Sequence, residues 1–344
     1  MSVGVLDLGS YAFRIGVSTS EAPARQIQPS VVENGKVCEV YTQGEVQSWE
    51  SLEEIFNNIL PTIGIDKKSN KVDSLVIADS VFTPTSERDQ MSALLFEKFG
   101  LQKLFYLPQE MSTLLASGIE TGILVHHGHT TTSVLPIYKG RFLKHAGTRA
   151  PYGSNDVMRY LSLHLQKQKT NKFNIRRQND KRIAASIKQK YLQVATGQQA
   201  RSNFVFKKKK ISVQKRNFLL TSAARFTSEI PFNPNIAGVN WEGVHKLVYN
   251  SISKSCPVSA SKLFLENILL EGGGTLTKGF KERLSSELKF SLGNSEIAPK
   301  ITKVQKTVWN SAAKSVELIE QQGRWITKEQ WLENRQQLIK EKCF

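Results

Sequence analysis

Carboxylates are scarce in this sequence of 344 residues. Thirty Asp and Glu stand against 47 Lys and Arg, which leaves a formal charge of +17. A field of that sign attracts nucleic acid, anionic lipid or an acidic protein partner. Cysteine is scarcer still, with only Cys38, Cys256 and Cys343. An odd number at wide spacing excludes a disulfide framework and any CxxC zinc module, and it fits a reducing compartment. No apolar run approaches the roughly 20 residues that span a bilayer. The opening MSVGVLDLGS has neither the basic start nor the cleavage site of a signal peptide. No Ser/His/Asp or Cys/His triad is suggested by spacing.

The length suits two domains of ordinary size, and 40% hydrophobic content can build a large core. The positive charge is unevenly placed. From Lys167 to Arg216 there are sixteen Lys/Arg against one acid, Asp180, a local balance of +15. A polyanion or acidic-partner surface accounts for that segment, and so does a solvated lysine-rich insertion. Phe204–Phe206, then Lys207 to Lys210, then Ile211–Val213 read as two strands joined by a lysine turn. Those four lysines are either a nuclear-localisation patch or a solvated hairpin tip.

Two β-hairpins organise the chain. Gly118 to Arg141 reads as a strand at Ile123–Val125, a turn at His127-Gly128 and a return strand from Thr131 to Ile137. The N-terminus repeats the pattern: Val3–Leu6, a turn at Gly9-Ser10, then Ala12–Ser18. Turns of this kind expose backbone N–H groups and small hydroxyls to phosphate oxygens. Two copies far apart suggest a duplicated, two-lobed fold that clamps a nucleotide.

Trp49–Leu60 is predicted as an amphipathic helix capped by Ser48, burying Leu52, Ile55, Phe56 and Ile59. A strand at Ser74–Ala78, a helix at Glu87–Phe99 closed by Gly100 and a strand at Lys103–Tyr106 follow. Further helices are predicted from near Ser154, at Arg182–Ala195 and at Gly279–Phe290; Trp241–Ser253 belongs with the last of these in the second lobe, Val308–Gln322 returns to the first, and Thr170–Lys181 reads as a loop. The Trp325, Trp331 and Phe344 set reads as core packing. His145 and His164 have no evident catalytic partner.

The segments DLGSYAFRIG and GILVHHGHTTTSVLPIYKG resemble the two phosphate loops of the actin family. LPQEMSTLLASG, IKQKYLQVA, ILLEGGGTLTKGF and the tail WITKEQWLENRQQLIKEKCF resemble further family segments, in the right order over nearly the whole length. The resemblance implies an α/β actin-like fold: two lobes, each around a mixed five-stranded sheet, with a nucleotide cleft between them. It implies one lobe from 1–117 plus 307–344 and a second from 118–306. It also implies that the subdomain carrying the DNase-binding loop is reduced to Val31–Gln43.

For the site, the resemblance implies ATP or ADP as ligand, held by Asp7, Gly9, Ser10 and Arg14, by Gly128, by Lys188 and Gln189, and by Gly272 and Gly273. Arg14 stands where the family has lysine, which keeps the charge and changes its reach. Gln109 would orient the attacking water in an active ATPase. The second loop departs from the family's Asp-Ser-Gly-Asp-Gly: it reads His126-His127-Gly128-His129-Thr130, and both carboxylates are gone. Mg²⁺ prefers hard oxygen ligands, so the cation site and hydrolysis are expected to be degenerate. A protonated histidine there could pair with a γ-phosphate. Strand alternation puts His127 and His129 on one face, yet a structural zinc site needs about four ligands, and none is expected.

Three functional classes follow. One is a structural subunit of a cytoplasmic, cytoskeletal assembly, at a filament end or in a dynactin-like complex, with other actin or actin-related subunits and complex-specific proteins as partners. Another is a nuclear subunit of a chromatin-remodelling complex, which the basic segment favours. The last is an active ATPase, which the histidines disfavour.

Overall fold

The computed structural model describes residues 2–33, 36–66, 71–168, 172–175, 177–197, 205–255, 258–293, 298–304 and 307–342. Cys256, Cys343, Phe204 and Phe344 lie outside these. The chain divides into two compact units, Met1–Ile119 with Val304–Phe344, and Glu120–Lys303.

The first unit is built on a mixed sheet of six strands. Gly4–Leu8 pairs antiparallel with Phe13–Val17, which pairs with Arg25–Ile27. On its other side Gly4–Leu8 runs parallel to Ser74–Asp79, and that strand to Lys103–Pro108. The two-residue strand Ile326–Thr327 adds an antiparallel edge, one strand more than expected. Apolar residues alternate with period two and both faces are covered. Val3, Val5, Val76, Ala78, Phe105 and Leu107 pack against the helix Val308–Gln322 through Trp309, Ala312, Val316 and Ile319. Their neighbours Leu6, Leu8, Leu75, Ile77, Leu104 and Tyr106 face the opposite way, against Leu52, Phe56, Leu95, Phe96 and Trp331. Trp309 also donates its indole N–H to the Val5 carbonyl at 3.0 Å. Trp331 is buried 5.5 Å from Phe96, and Trp325 packs 6.2 Å from Phe105.

The helix Trp49–Ile59 forms as its pattern predicts. Ser48 Oγ accepts from the Ser51 N–H, and Leu52, Ile55, Phe56 and Ile59 are buried. Between Ile27 and Trp49 the chain makes two small hairpins, Ser30–Glu33 with Lys36–Glu39 and Tyr41–Thr42 with Glu45–Val46. The helix expected at Glu87–Phe99 begins earlier, at Thr85, and its last turn, Leu94–Lys98, is π-helical.

The second unit repeats the same beginning. Gly122–His127 pairs antiparallel with Thr132–Tyr138 and parallel with Ile268–Glu271, which runs parallel to Ile301–Lys303. Arg141–Phe142 and Thr148–Ala150 both pair with Thr132–Tyr138, again giving six strands. Ile123, Val125, Ile268 and Leu270 project into a core closed by Val244, Leu247, Val248, Phe264, Phe280 and Leu284. A second core gathers the helices Ser154–Gln166 and Gln178–Tyr191 with a hairpin of Lys209–Val213 and Arg216–Leu220.

That hairpin corrects the expected lysine turn. Its tip is Gln214-Lys215, both with positive φ (49° and 60°), while Lys209 and Lys210 lie in the strand. The alternation of Ile211, Val213, Phe218 and Leu220 toward the core fixes this register. The helix placed at Arg182–Ala195 runs from Gln178 to Tyr191 instead. Its first turn contains Asp180, whose carboxylate accepts from the Asn174 N–H at 2.7 Å and from Arg216. An acid in a first turn complements the helix dipole.

Candidate functional site

In the first unit, Asp7 is the hub. It ends the first strand, is buried, and lies directly opposite Arg14 in the hairpin register. Arg14 Nη1 donates to Asp7 Oδ2 at 2.9 Å, and its Nε donates to Gln26 Oε1 at 3.1 Å. Gln109 is the first residue of the helix Gln109–Ser117. Its amide nitrogen lies 3.3 Å from Asp7 Oδ1, from the Leu8 carbonyl and from the Ala78 carbonyl. A buried carboxylate needs such donors to stay ionised at low cost. The turn contains half-buried Gly9 and Ser10 and exposed Tyr11. At Gly9 a Cβ would meet the Ala12 carbonyl at 3.0 Å, so the turn is tight. Asp7, Arg14 and Gln109 are thus in direct contact.

In the second unit the corresponding hairpin turns through Gly128–Thr131, where Gly128 N–H donates to the Thr131 carbonyl at 2.9 Å. The helix Ser154–Gln166 starts against this turn. Ser154 N–H donates to the Gly128 carbonyl at 2.9 Å and Asn155 N–H to the His129 carbonyl at 2.8 Å. Donors that a helix N-terminus would offer to an anion are here taken by loop carbonyls. The Gly153 N–H is accepted by Asp156 at 2.9 Å.

The three histidines go to three different environments. His127 is buried, stacked on Phe280 at 5.6 Å, with Nδ1 2.7 Å from Thr132 Oγ1. Thr132 spends its single hydroxyl proton on the Tyr152 carbonyl at 2.8 Å, so His127 Nδ1 carries the proton and donates. Burial, with Lys188 and His126 nearby, pushes the His127 imidazole down to about 3. His126 Nδ1 lies 3.3 Å from Glu271 Oε2 across the parallel strand pair. His129 is half-buried; burial and then Lys188 push it down to about 4. His127 and His129 are therefore neutral at pH 7, and the expected pairing of a protonated imidazole with phosphate has no support from either.

Lys188 donates its ammonium to the Ser154 carbonyl at 3.2 Å, and burial pulls it down to about 8. It remains the cation beside this turn at neutral pH. Gln189, one position on, is exposed. The glycines divide as well. A Cβ on Gly272 (φ 89°) would meet the His127 carbonyl at 2.5 Å, and one on Gly128 would meet His126 Nε2 at 2.6 Å. Gly273 faces open space, with nothing within 4 Å of a built Cβ. Gly128, Lys188 and Gly272 are gathered at one turn, Gly273 opens beside it, and Gln189 is apart.

The sequence model of the Actin family matches residues 24–344. The chain belongs to the actin family. The α/β fold with two mixed sheets is that of an actin-like protein.

Within this actin-family chain, the donor set of the second loop does not fit Mg²⁺. Two of its imidazoles are held neutral, and the carboxylate that reaches it, Glu271, is engaged by His126. Mg²⁺ asks for oxygen ligands and ordered waters. Two buried acids escaped sequence reasoning. Glu271 ends an apolar strand and was masked by the glycines after it; an acid inside ILLE was the available signal. Glu110, in the first turn of its helix, accepts from Ser80 Oγ and the Val81 N–H, both at 3.0 Å, and fixes the loop after Asp79.

Proposed function

We propose that this actin-family chain is a structural subunit of a larger cytoskeletal assembly, at a filament end or in a dynactin-like complex. It binds ATP or ADP and turns it over too slowly for hydrolysis to be its purpose. The observation that carries this reading is the histidine turn: His127 is neutral, stacked and hydrogen-bonded inward, and His126 is tied to Glu271. Neither can order a cation's waters as the missing carboxylates would. Binding draws on many distributed contacts, whereas turnover needs one correctly placed water, so turnover is lost first. Asp7, Ser10 and Arg14 in one unit, and Lys188 and Gly273 in the other, support the binding half of the proposal.

The test is affinity for a fluorescent ATP analogue measured beside phosphate release from the same preparation. Binding with phosphate release at background is expected. Turnover at the rate of an ordinary actin-like ATPase would overturn the reading. A second reading, a nuclear chromatin-remodelling subunit, is favoured by the exposed lysines of residues 207–210. Imaging the tagged protein separates cytoplasm from nucleus.

A further inference from the structure

The basic residues of the second unit converge although the sequence scatters them. Among the described residues, ten Lys and Arg between 167 and 216 are exposed. The Lys209–Leu220 hairpin draws them together. Lys209 lies over the Tyr191 ring at 5.4 Å, which brings it beside exposed Lys190 at the end of its helix. Arg216 pairs with Asp180 in the first turn of the helix Gln178–Tyr191, two residues before exposed Arg182. Gln168 bonds both ways to the Leu219 backbone, at 2.6 and 3.0 Å, which brings the helix end with Lys167 to the other edge. Arg225 donates to the Lys207 carbonyl at 2.8 Å and holds the approach to the hairpin.

Among the described residues of the helices packed on the hairpin, no exposed acid balances this field. The helices packed on the hairpin, Ser154–Gln166, Gln178–Tyr191 and Ser222–Phe226, carry two acids, Asp156 and Asp180. Asp180 is buried with Arg216, and Asp156 caps its own helix. The hairpin's outward face alternates Lys210, Ser212, Asn217 and Leu219. This face thus carries one cation, two polar side chains and Leu219 as its single apolar side chain. A protein partner calls for an apolar or aromatic centre, and a single strand for exposed aromatic platforms. Phe173, Phe206 and Phe218 are buried and Tyr191 lies under Lys209; Phe226, 41% exposed at the end of its short helix, is the one exposed aromatic on the three packed helices, too few for a row of stacked bases.

We infer that this surface binds double-stranded nucleic acid through its phosphate backbone, without reading base sequence. The inference is independent of nucleotide binding. The experiment uses the full chain and a labelled 20-base-pair DNA duplex of mixed sequence, followed by fluorescence anisotropy from 50 to 200 mM salt. A Kd on the order of 10⁻⁶ M is expected, weakening with a log–log salt slope of about −4.5 if roughly five phosphates are engaged. An RNA duplex should bind comparably. Replacing Lys207, Lys208, Lys210 and Lys215 with Ser should weaken binding by about tenfold or more and flatten the slope. The four Lys→Arg changes should preserve both. Should the serine variant melt early, Lys208→Glu with Lys215→Glu, both outside the strands, reads the same loss. Unchanged affinity in these variants, a slope near zero, or tighter binding to poly-glutamate or phosphatidylserine vesicles than to the duplex would each overturn the assignment. Nucleotide affinity should be equal in wild type and variants, so failure here leaves the nucleotide reading standing.

Discussion

His126 and Glu271 face each other on adjacent parallel strands, with Nδ1 3.3 Å from Oε2. Glu271 thus brings a carboxylate from the neighbouring strand to the histidine loop, and the two positions are coupled. His126→Asp, the change that restores the family residue, would set two carboxylates against each other with Glu271 only 5% exposed. Like charges at that spacing disfavour double ionisation. We expect His126→Asp to lose on the order of 2 kcal/mol of stability at pH 7. The loss should shrink toward pH 5, because a carboxyl whose folded pKa is raised contributes its stability below that value. Adding Glu271→Gln should restore stability at pH 7. Urea titrations at both pH values decide it; a neutral single variant would show that the pair is not coupled.

The buried imidazoles also set a pH dependence. His127 and His129 titrate near 6.5 when unfolded and at about 3 and about 4 when folded. Between these values the unfolded chain binds more protons, so stability rises with pH and is lost on acidification from about 6.5. Each such proton contributes up to about 1.4 kcal/mol per pH unit. His127→Asn keeps a donor near Thr132 Oγ1 and removes one titration. Its stability-versus-pH curve between pH 4 and 6.5 should be shallower than wild type by about one proton. Parallel curves would refute a neutral buried His127.

Local order was legible where pattern and chemistry agreed. The Ser48 cap and its i, i+3, i+4 apolar face give the Trp49–Ile59 helix. Period-two alternation gives both hairpins. The Gln214-Lys215 turn was hidden because neither residue is a customary occupant of positive φ, and four lysines look more like a tip. The helix start at Gln178 has Arg177 as its flanking residue, which carries no capping side chain. His126 with Glu271 and Asp7 with Gln109 are separated by 145 and 102 residues, and no local signal joins them.

Asp79 and Arg88 form a pair with both side chains almost wholly inaccessible. Arg88 Nε donates to Asp79 Oδ2 at 2.7 Å, and Arg88 Nη2 donates to the Ser80 carbonyl at 2.9 Å. Burial raises the Asp79 carboxyl and the Arg88 charge opposes that rise. Arg88→Met removes the opposing charge and leaves an uncompensated acid in the core, at a cost of about 3–5 kcal/mol. Pairing it with Asp79→Leu should recover much of that loss. Chemical denaturation of the two variants is the measurement, and a single variant within 1 kcal/mol of wild type, on the scale of an exposed pair, would contradict the burial.

A head-to-tail filament is a heterologous assembly, and each subunit must offer two different, mutually complementary surfaces. The connection between the strand Arg25–Ile27 and the helix Trp49–Ile59 closes into two short hairpins. On the first of these Val32 and Val37 face each other across the strands, 71% and 54% exposed. In the actin family a longer loop at this place docks into the next subunit. We propose that with so short a hairpin the chain can receive a neighbour at one end and cannot make the usual contact at the other. On that proposal the subunit would terminate or join an assembly rather than extend one. The purified chain should remain in the supernatant when sedimented in polymerising salt, at every concentration tried. Its monomer signal should rise in proportion to total protein. A pellet that appears above a fixed critical concentration would show that the short hairpin suffices for self-assembly, and the structural-subunit reading would then have to be one of a filament former.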